Sequence, residues 1–322
     1  MTDALREAAE TAIHQCMALE AGESCVVVTD DERLLIGEAL YEAARDVTDD
    51  AVLLRYPPGE QHGTEPPAPV AAAMADADVV LAPTTKSLSH TRARKRACDA
   101  GARAATLPGI TEDVMIAGLD ADYEAIARCC REVLAQVADA DEVRITTDAG
   151  TDLTVVPGDR EWLTDTGMVH DAGDFSNLPA GEVFVSPETA NGTYVVDGTM
   201  MPHGLVEEPL RFEVEAGYVT HISDDAVREQ VETGREAVGR DAANLAELGL
   251  GTNVGVTELV GSVLLDEKAA GTVHVAIGDD ASIGGDVEAP LHLDGIIREP
   301  TVYADGEVVD LPSVERPERE QS

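Results

Sequence analysis

Residues 142–158 read "EVRITTDAGTDLTVVPG". Val143 and Ile145 alternate with Arg144 and Thr146, and Leu153 and Val155 alternate with Asp152 and Thr154, the two-residue period of half-buried strands. Asp148 and Gly150 lie between the arms as turn residues, so the stretch predicts an antiparallel hairpin. Upstream the pattern differs. "SCVVVTD", "AVLLRYP" and the end of "VAAAMADADVVLAP" are unbroken apolar runs separated by helical segments such as "ERLLIGEALYEAARDV". Such runs fit strands buried on both faces, and the intervening helices make them parallel. The hairpin therefore marks a change of architecture: an open, mostly parallel α/β domain over residues 1–140, then an α+β domain rich in antiparallel strands over residues 141–314.

Downstream, "GEVFVSP", "GTYVVDG" and "LRFEVEAGYVTHI" continue the short-strand pattern, and "TVYADGEVVDL" forms a last hairpin. One helix is predicted among them, "DDAVREQVETGREAVGRDAANLAELG", capped by Asp224 and Asp225 and closed by Gly249. It places Glu247 at a helix end. The terminal "ERPEREQS", residues 315–322, reads as a disordered tail.

With 63 acidic and 22 basic residues the chain carries a formal charge of −41, and only Lys86, Lys95 and Lys268 are lysines. Self-repulsion of that size calls for abundant screening cations, so a high-salt cytoplasm is expected. The same charge repels nucleic-acid backbones and anionic membranes, leaving peptides or small molecules as partners. Cys16, Cys25, Cys98, Cys129 and Cys130 lack paired metal or redox spacing and read as reduced. No run is long and apolar enough to span a bilayer, and the first residues lack a basic and an apolar leader segment.

The chemistry concentrates in "GTVHVAIGDDASIGGDVEAPLHLDG", residues 271–295. On a strand His292 and Asp294 project together, and His274 shares its face with the small Thr272 and Ala276. Two histidines and one carboxylate fit a facial triad for Fe(II) or part of a zinc site; two histidines bonded within a small core are the plain alternative. Glu182, opening "GEVFVSP", and Glu247, in "AELGLGTN", are further carboxylates beside apolar residues, although among 63 acidic residues each taken singly reads as a surface group.

Taken in order, "NLPAGEVFVSPETANGTYVVDG", "AELGLGTN", "LLDEKAAGTVHVAIG" and "HLDG" resemble the aminopeptidase T and aminopeptidase S family of dimetal exopeptidases, closely over residues 176–298. The first domain resembles it more loosely, through "SHTRARKRACDAGARAATLPG". The resemblance implies two divalent ions (Zn, Co or Mn) held by Glu182, Glu247, His274, His292 and Asp294, and a homodimer. Three carboxylates and two imidazoles agree with the charge of two such ions, which together would activate a water and polarise a peptide carbonyl. One departure stands out: where family members carry a tyrosine seven residues after the first histidine, this chain has Ala281. Tyr56, Tyr194 and Tyr303 are candidates to replace it.

Among secondary candidates, Glu267 could act as general base and Lys268 as oxyanion stabiliser, against a solvated turn as the plain alternative. His90, inside the basic run "SLSHTRARKRACDAG", could reach substrate, while its arginines read as a helix face capped by Ser89 or Thr91. His14, His62, His170, His203 and His221 read as exposed, and Trp162 as core or hinge. "GLGTN" lacks the Lys-Ser/Thr of a phosphate loop. The expected activity is that of a cytoplasmic metallo-aminopeptidase acting on short peptides. The alternative is a mononuclear Fe(II) ring-cleaving dioxygenase that uses His274, His292 and Asp294, because the dihydroxypyridine dioxygenases look like relatives of the same fold with chains of about this length.

Overall fold

The computed structural model describes residues 2–313, so the tail at 315–322 lies outside the described residues. The chain forms two compact units. One joins the chain up to Ala127 to Asp165–Ala180; the other joins Arg128–Thr164 to the chain from Gly181 onward. The sequence boundary at 140 thus differs from the structural one. The helix Tyr123–Val137 runs across the division, and the segment at 165–180 returns to the first unit because its strand Phe175–Asn177 completes that unit's sheet.

The first unit is an open α/β sheet. From one edge the order is Ala51–Tyr56, Cys25–Asp30, Val79–Thr84, Arg103–Pro108 and Phe175–Asn177, every neighbour parallel. Cys25–Asp30 and Val79–Thr84 are buried at every residue, as their unbroken apolar runs predict for central strands covered on both faces. The helix Arg92–Asp99 starts at Thr91, whose hydroxyl accepts from the Arg94 amide, so of the two predicted caps Thr91 is the one used.

The second unit holds two seven-stranded sheets. The hairpin predicted at residues 142–158 forms: Val143–Thr146 pairs antiparallel with Asp152–Val156 in the first of these sheets. The second sheet places Glu182–Val185, Leu245–Gly251, Val273–Gly278 and His292–Ile297 side by side, all antiparallel.

One predicted element is corrected. The helix capped by Asp224, which accepts from the Val227 amide, ends at Val238 and not at Gly249. Gly239 takes φ +69 and ψ −136, a conformation that glycine adopts at little steric cost and that stops the helix. A short 3-10 turn, Gly239–Ala243, follows, and Leu245–Gly251 is a wholly buried strand. Glu247 therefore sits in mid-strand. Its apolar neighbours, spaced for either element, bury more completely between two strands than on a helix end.

Candidate metal centre

Sheet register brings the predicted residues onto one face. In an antiparallel pair, residues directly opposite project to the same side. His292 lies opposite Gly278, Asp294 opposite Ala276, Ala276 also opposite Glu247, His274 opposite Gly249, and Glu182 opposite Gly251. The five candidate side chains thus share a face with Gly249, Gly251, Ala276 and Gly278, whose small size leaves room for them. Gly249 is the tightest: a Cβ there would stand 2.0 Å from Cε1 and 2.1 Å from Nε2 of His274. The imidazole lies flat over a position that only glycine can fill.

Each imidazole is aimed by a backbone carbonyl. His274 Nδ1 is 3.2 Å from the Glu267 carbonyl, and His292 Nδ1 is 2.7 Å from the Asp279 carbonyl. This fixes the proton on Nδ1 and leaves both Nε2 atoms facing carboxylates, the arrangement by which metal-binding histidines are oriented. His274 Nε2 lies 3.2 Å from Glu247 Oε1 and 3.5 Å from Glu182 Oε2. His292 Nε2 lies 3.3 Å from Glu247 Oε2 and 3.4 Å from Asp294 Oδ1. Glu182, Glu247 and His274 form one group of donors within 4.8 Å of one another, and Glu247, His292 and Asp294 form a second. Glu247 belongs to both.

Burial sets the electrostatics. His274 is 1% exposed, Glu182 7% and Glu247 8%, whereas a third of His292 reaches solvent, making it the open side of the site. Burial pushes the Glu182 carboxyl up to about 8, against the pull of Lys268 and His274. Burial acts the same way on Glu247, but hydrogen bonds from both imidazoles outweigh it and hold that carboxyl well below its usual range. For His274 burial favours the neutral ring, yet Glu247, Glu182 and Glu267 raise it to about 9. His292 is likewise raised against burial by Asp294 and Glu247, and Asp294 is lowered, mainly by His292 against its own burial.

A cation fits this donor set. Glu182 Oε2 is buried without a hydrogen-bond partner, a costly state for a carboxylate oxygen unless a cation or proton meets it. Without a cation, protonated imidazoles supply the positive charge that the cluster of carboxylates demands.

Glu267 and Lys268 are not in a solvated turn. Lys268 is 5% exposed, its ammonium bonded to Glu182 and lying 2.9 Å from Glu267 Oε1. Burial raises the Glu267 carboxyl, opposed by Lys268. His90 is exposed and belongs to the first unit, whereas the five residues of the cluster belong to the second. Ala281, at the family's tyrosine position, begins an exposed 3-10 turn. Tyr194 does not replace it: that ring is buried against Phe212, centroids 4.5 Å apart, and its hydroxyl has no partner among the described residues. Sequence reasoning missed Gly249, Ser186, Asn244 and Asp280, which shape or brace the site. The glycine pair in "LGLG" was the only signal available for the first of these.

Three comparisons bear on this site. A family model described as "NicX: 2,5-dihydroxypyridine 5,6-dioxygenase" matches residues 4–311. A 2,5-dihydroxypyridine 5,6-dioxygenase of Pseudomonas putida strain KT2440 is 24% identical over 186 residues, covering 53% of this chain and 53% of that protein. The chain thus aligns with about half the length of this curated relative. Among solved structures, 2,5-dihydroxypyridine dioxygenase from Pseudomonas putida KT2440 superposes with a TM-score of 0.76 at 21% identity, covering 98% of this chain and 97% of that one. Wild-type AmpT from Thermus thermophilus superposes with a TM-score of 0.64 at 20% identity, covering 95% and 99%. The fold expected from the aminopeptidase resemblance is therefore present, while family and curated relative both carry the name of the dioxygenase. Among the described residues no helix is long and apolar enough to cross a membrane.

Proposed function

Since the chain belongs to the family described as NicX, 2,5-dihydroxypyridine 5,6-dioxygenase, we propose that it is a metal-dependent dioxygenase that opens a dihydroxylated nitrogen-containing aromatic ring. The family match along nearly the whole chain is the observation that carries this reading over hydrolysis. His274, His292 and Asp294 would hold a single Fe(II), two imidazoles and a carboxylate being the donor set of non-haem iron oxygenases. Glu247, between the two imidazoles, would balance their charge or join them as a ligand. Bound iron would supply the redox chemistry by which dioxygen and the ring react.

The chain's own residues supply positioning and proton handling. His292, a third of whose side chain reaches solvent, marks the side from which a ring can approach. Glu267, raised by burial, and Lys268 stand beside Glu182 as groups able to take and return the proton of a ring hydroxyl. Ala281 leaves a methyl where the peptidases place a phenol, which removes a group that the peptidase chemistry uses.

Two donor groups sharing Glu247, together with the unpartnered Glu182 Oε2, support a second reading, a two-metal hydrolase of the aminopeptidase T kind. One experiment separates them. The protein is loaded anaerobically with Fe(II) or aerobically with Zn(II), Co(II) or Mn(II) in concentrated KCl, and bound metal per chain, oxygen uptake on 2,5-dihydroxypyridine and leucyl-anilide hydrolysis are measured. One iron per chain with oxygen uptake is expected. Two ions per chain with anilide hydrolysis and no oxygen uptake would replace the dioxygenase by the peptidase.

A further inference from the structure

Resting on the metal centre proposed above, we infer that Asp280 is a positioning residue: through the Asp279 carbonyl it fixes which nitrogen His292 presents to the metal. Asp280 is not a ligand. It stands at the start of the connection between the strands Val273–Gly278 and His292–Ile297, and it is 3% exposed in a chain whose acids are mostly on the surface. A carboxylate so buried must be bonded throughout, and it is. Oδ2 accepts from Asn244 Nδ2 at 2.8 Å and from Ser186 Oγ at 3.1 Å; Oδ1 accepts from the Val287 amide at 2.7 Å.

The partners explain the effect. Ser186 directly follows the strand that carries Glu182, and Asn244 directly precedes the strand that carries Glu247. Asp280 itself follows the strand that carries His274. One buried carboxylate therefore ties the ends of three ligand-bearing strands together. Its fourth connection runs along its own backbone. The Asp280 amide donates to the Val287 carbonyl at 3.0 Å, and the Asp279 amide to the Leu291 carbonyl at 2.8 Å. Between those bonds the Asp279 carbonyl has one orientation, toward His292 Nδ1 at 2.7 Å.

Two further features serve the same connection. Gly285 passes so close that a Cβ would stand 2.0 Å from the Asp280 carboxyl carbon, so the loop closes over the carboxylate as only glycine allows. Arg160 grips the outer side through the Gly284 carbonyl at 2.6 Å and Asp286 Oδ2 at 2.7 Å. His292 needs this support more than His274 does. A third of its ring is open to solvent, where water competes for Nδ1, whereas His274 is enclosed. With Nδ1–H held by the Asp279 carbonyl, Nε2 is the nitrogen left to bind a cation; once that carbonyl turns away, the ring can rotate out of the site.

The test is metal affinity in a double-mutant cycle, with Zn(II) alone as probe, titrated in competition with a chromophoric chelator in concentrated KCl. Wild type, Asp280→Asn, His292→Ala and the double variant are compared. Asp280→Asn keeps the shape of the side chain but faces donors with an amide. It is expected to weaken Zn(II) by about 10–100-fold, the usual effect of removing support from a metal-binding histidine. In the His292→Ala background the same change is expected to cost less than threefold, because the group it acts through is gone. Ser186→Ala, which removes a single bond to the same carboxylate, is expected to give a smaller loss in the same direction and covers the case in which Asp280→Asn does not fold. Equal losses in both backgrounds, or none for Asp280→Asn in an otherwise wild-type chain, would overturn the positioning role while leaving the metal centre intact. A wild-type protein that binds no Zn(II) would instead remove the metal centre and this inference with it.

Discussion

Gly249→Ala is the smallest change that reaches the candidate site, and its effect can be worked out from distances. The added methyl carbon would stand 2.0 Å from His274 Cε1. Carbon atoms rest at about 3.5–4 Å, so the ring or the strand must retreat by roughly 1.5 Å. The ring has no free direction: Nδ1 is held at 3.2 Å by the Glu267 carbonyl and Nε2 at 3.2 Å by Glu247 Oε1, and the side chain is 1% exposed. A retreat of that size breaks at least one of these bonds, worth about 1.5–3 kcal/mol when one partner is charged. Overpacking adds about 1–3 kcal/mol. The sum, roughly 2.5–6 kcal/mol, corresponds to a fall in unfolding temperature on the order of 10 °C for a unit of this size. Displacing a ligand also weakens metal binding, by about tenfold or more. Thermal unfolding with and without Zn(II), in concentrated KCl, reads both effects. Gly22→Ala serves as control, because a Cβ there meets nothing within 4 Å. If Gly249→Ala unfolded within about 1 °C of wild type and bound Zn(II) with unchanged affinity, the placement of His274 over Gly249 would be wrong.

Lys268→Met leaves Glu182 and Glu267 buried without their shared ammonium, a loss of about 3–5 kcal/mol for a broken buried pair. Glu182 already has a folded value raised above its unfolded one, so the stability it contributes is present in acid and is lost as pH rises toward 8. The deficit of the variant is therefore expected to be larger at pH 8.5 than at pH 5.5; an equal deficit in unfolding scans at the two values counts against the assignment. Metal uptake is expected to release protons, because His274, raised to about 9, must lose its second proton to bind a cation. The imidazolium stabilises the metal-free fold fully below its unfolded value near 6.5 and ceases to do so as pH passes about 9, so Zn(II) affinity should climb between pH 6 and pH 9. Calorimetry in buffers of different ionisation heat measures the proton count, and a value of zero at pH 7 would refute it. Finally, a formal charge of −41 implies stability that rises steeply with salt as the screening length shrinks from about 10 Å at 0.1 M to about 3 Å at 1 M. Unfolding temperatures across a KCl series check this, and a flat profile would contradict it.

The peptidase expectation came from ordered motifs, while the fold of this chain superposes on a dihydroxypyridine dioxygenase and on AmpT alike. Those motifs specify a metal-binding sheet face, and that face is present whichever reaction it serves. Reaction class depends on how many cations the donors hold and on what meets the substrate beyond them. Ala281 was the one residue in the sequence that argued against the peptidase.

His292 and Asp294 were legible as a pair because strand periodicity alone puts residues two apart on one face. The change from parallel to antiparallel architecture near residue 142 was legible for the same reason: it is written in local period and turn residues. Glu247 was assigned to the wrong element, because "ANLAELGLG" has apolar spacing that suits a helix or a buried strand and only Gly239, at φ +69, decides between them. Lys268 could not be placed, since nothing local distinguishes a turn in water from one folded beneath Glu182. Asp280 was one acid among 63 until three strand ends closed around it. Sequence by itself determined the donor types and the elements whose period is unambiguous, which depend on neighbours a few residues away. Tertiary structure decided burial, cross-strand register and the partners of each charge, which depend on contacts between residues tens of positions apart.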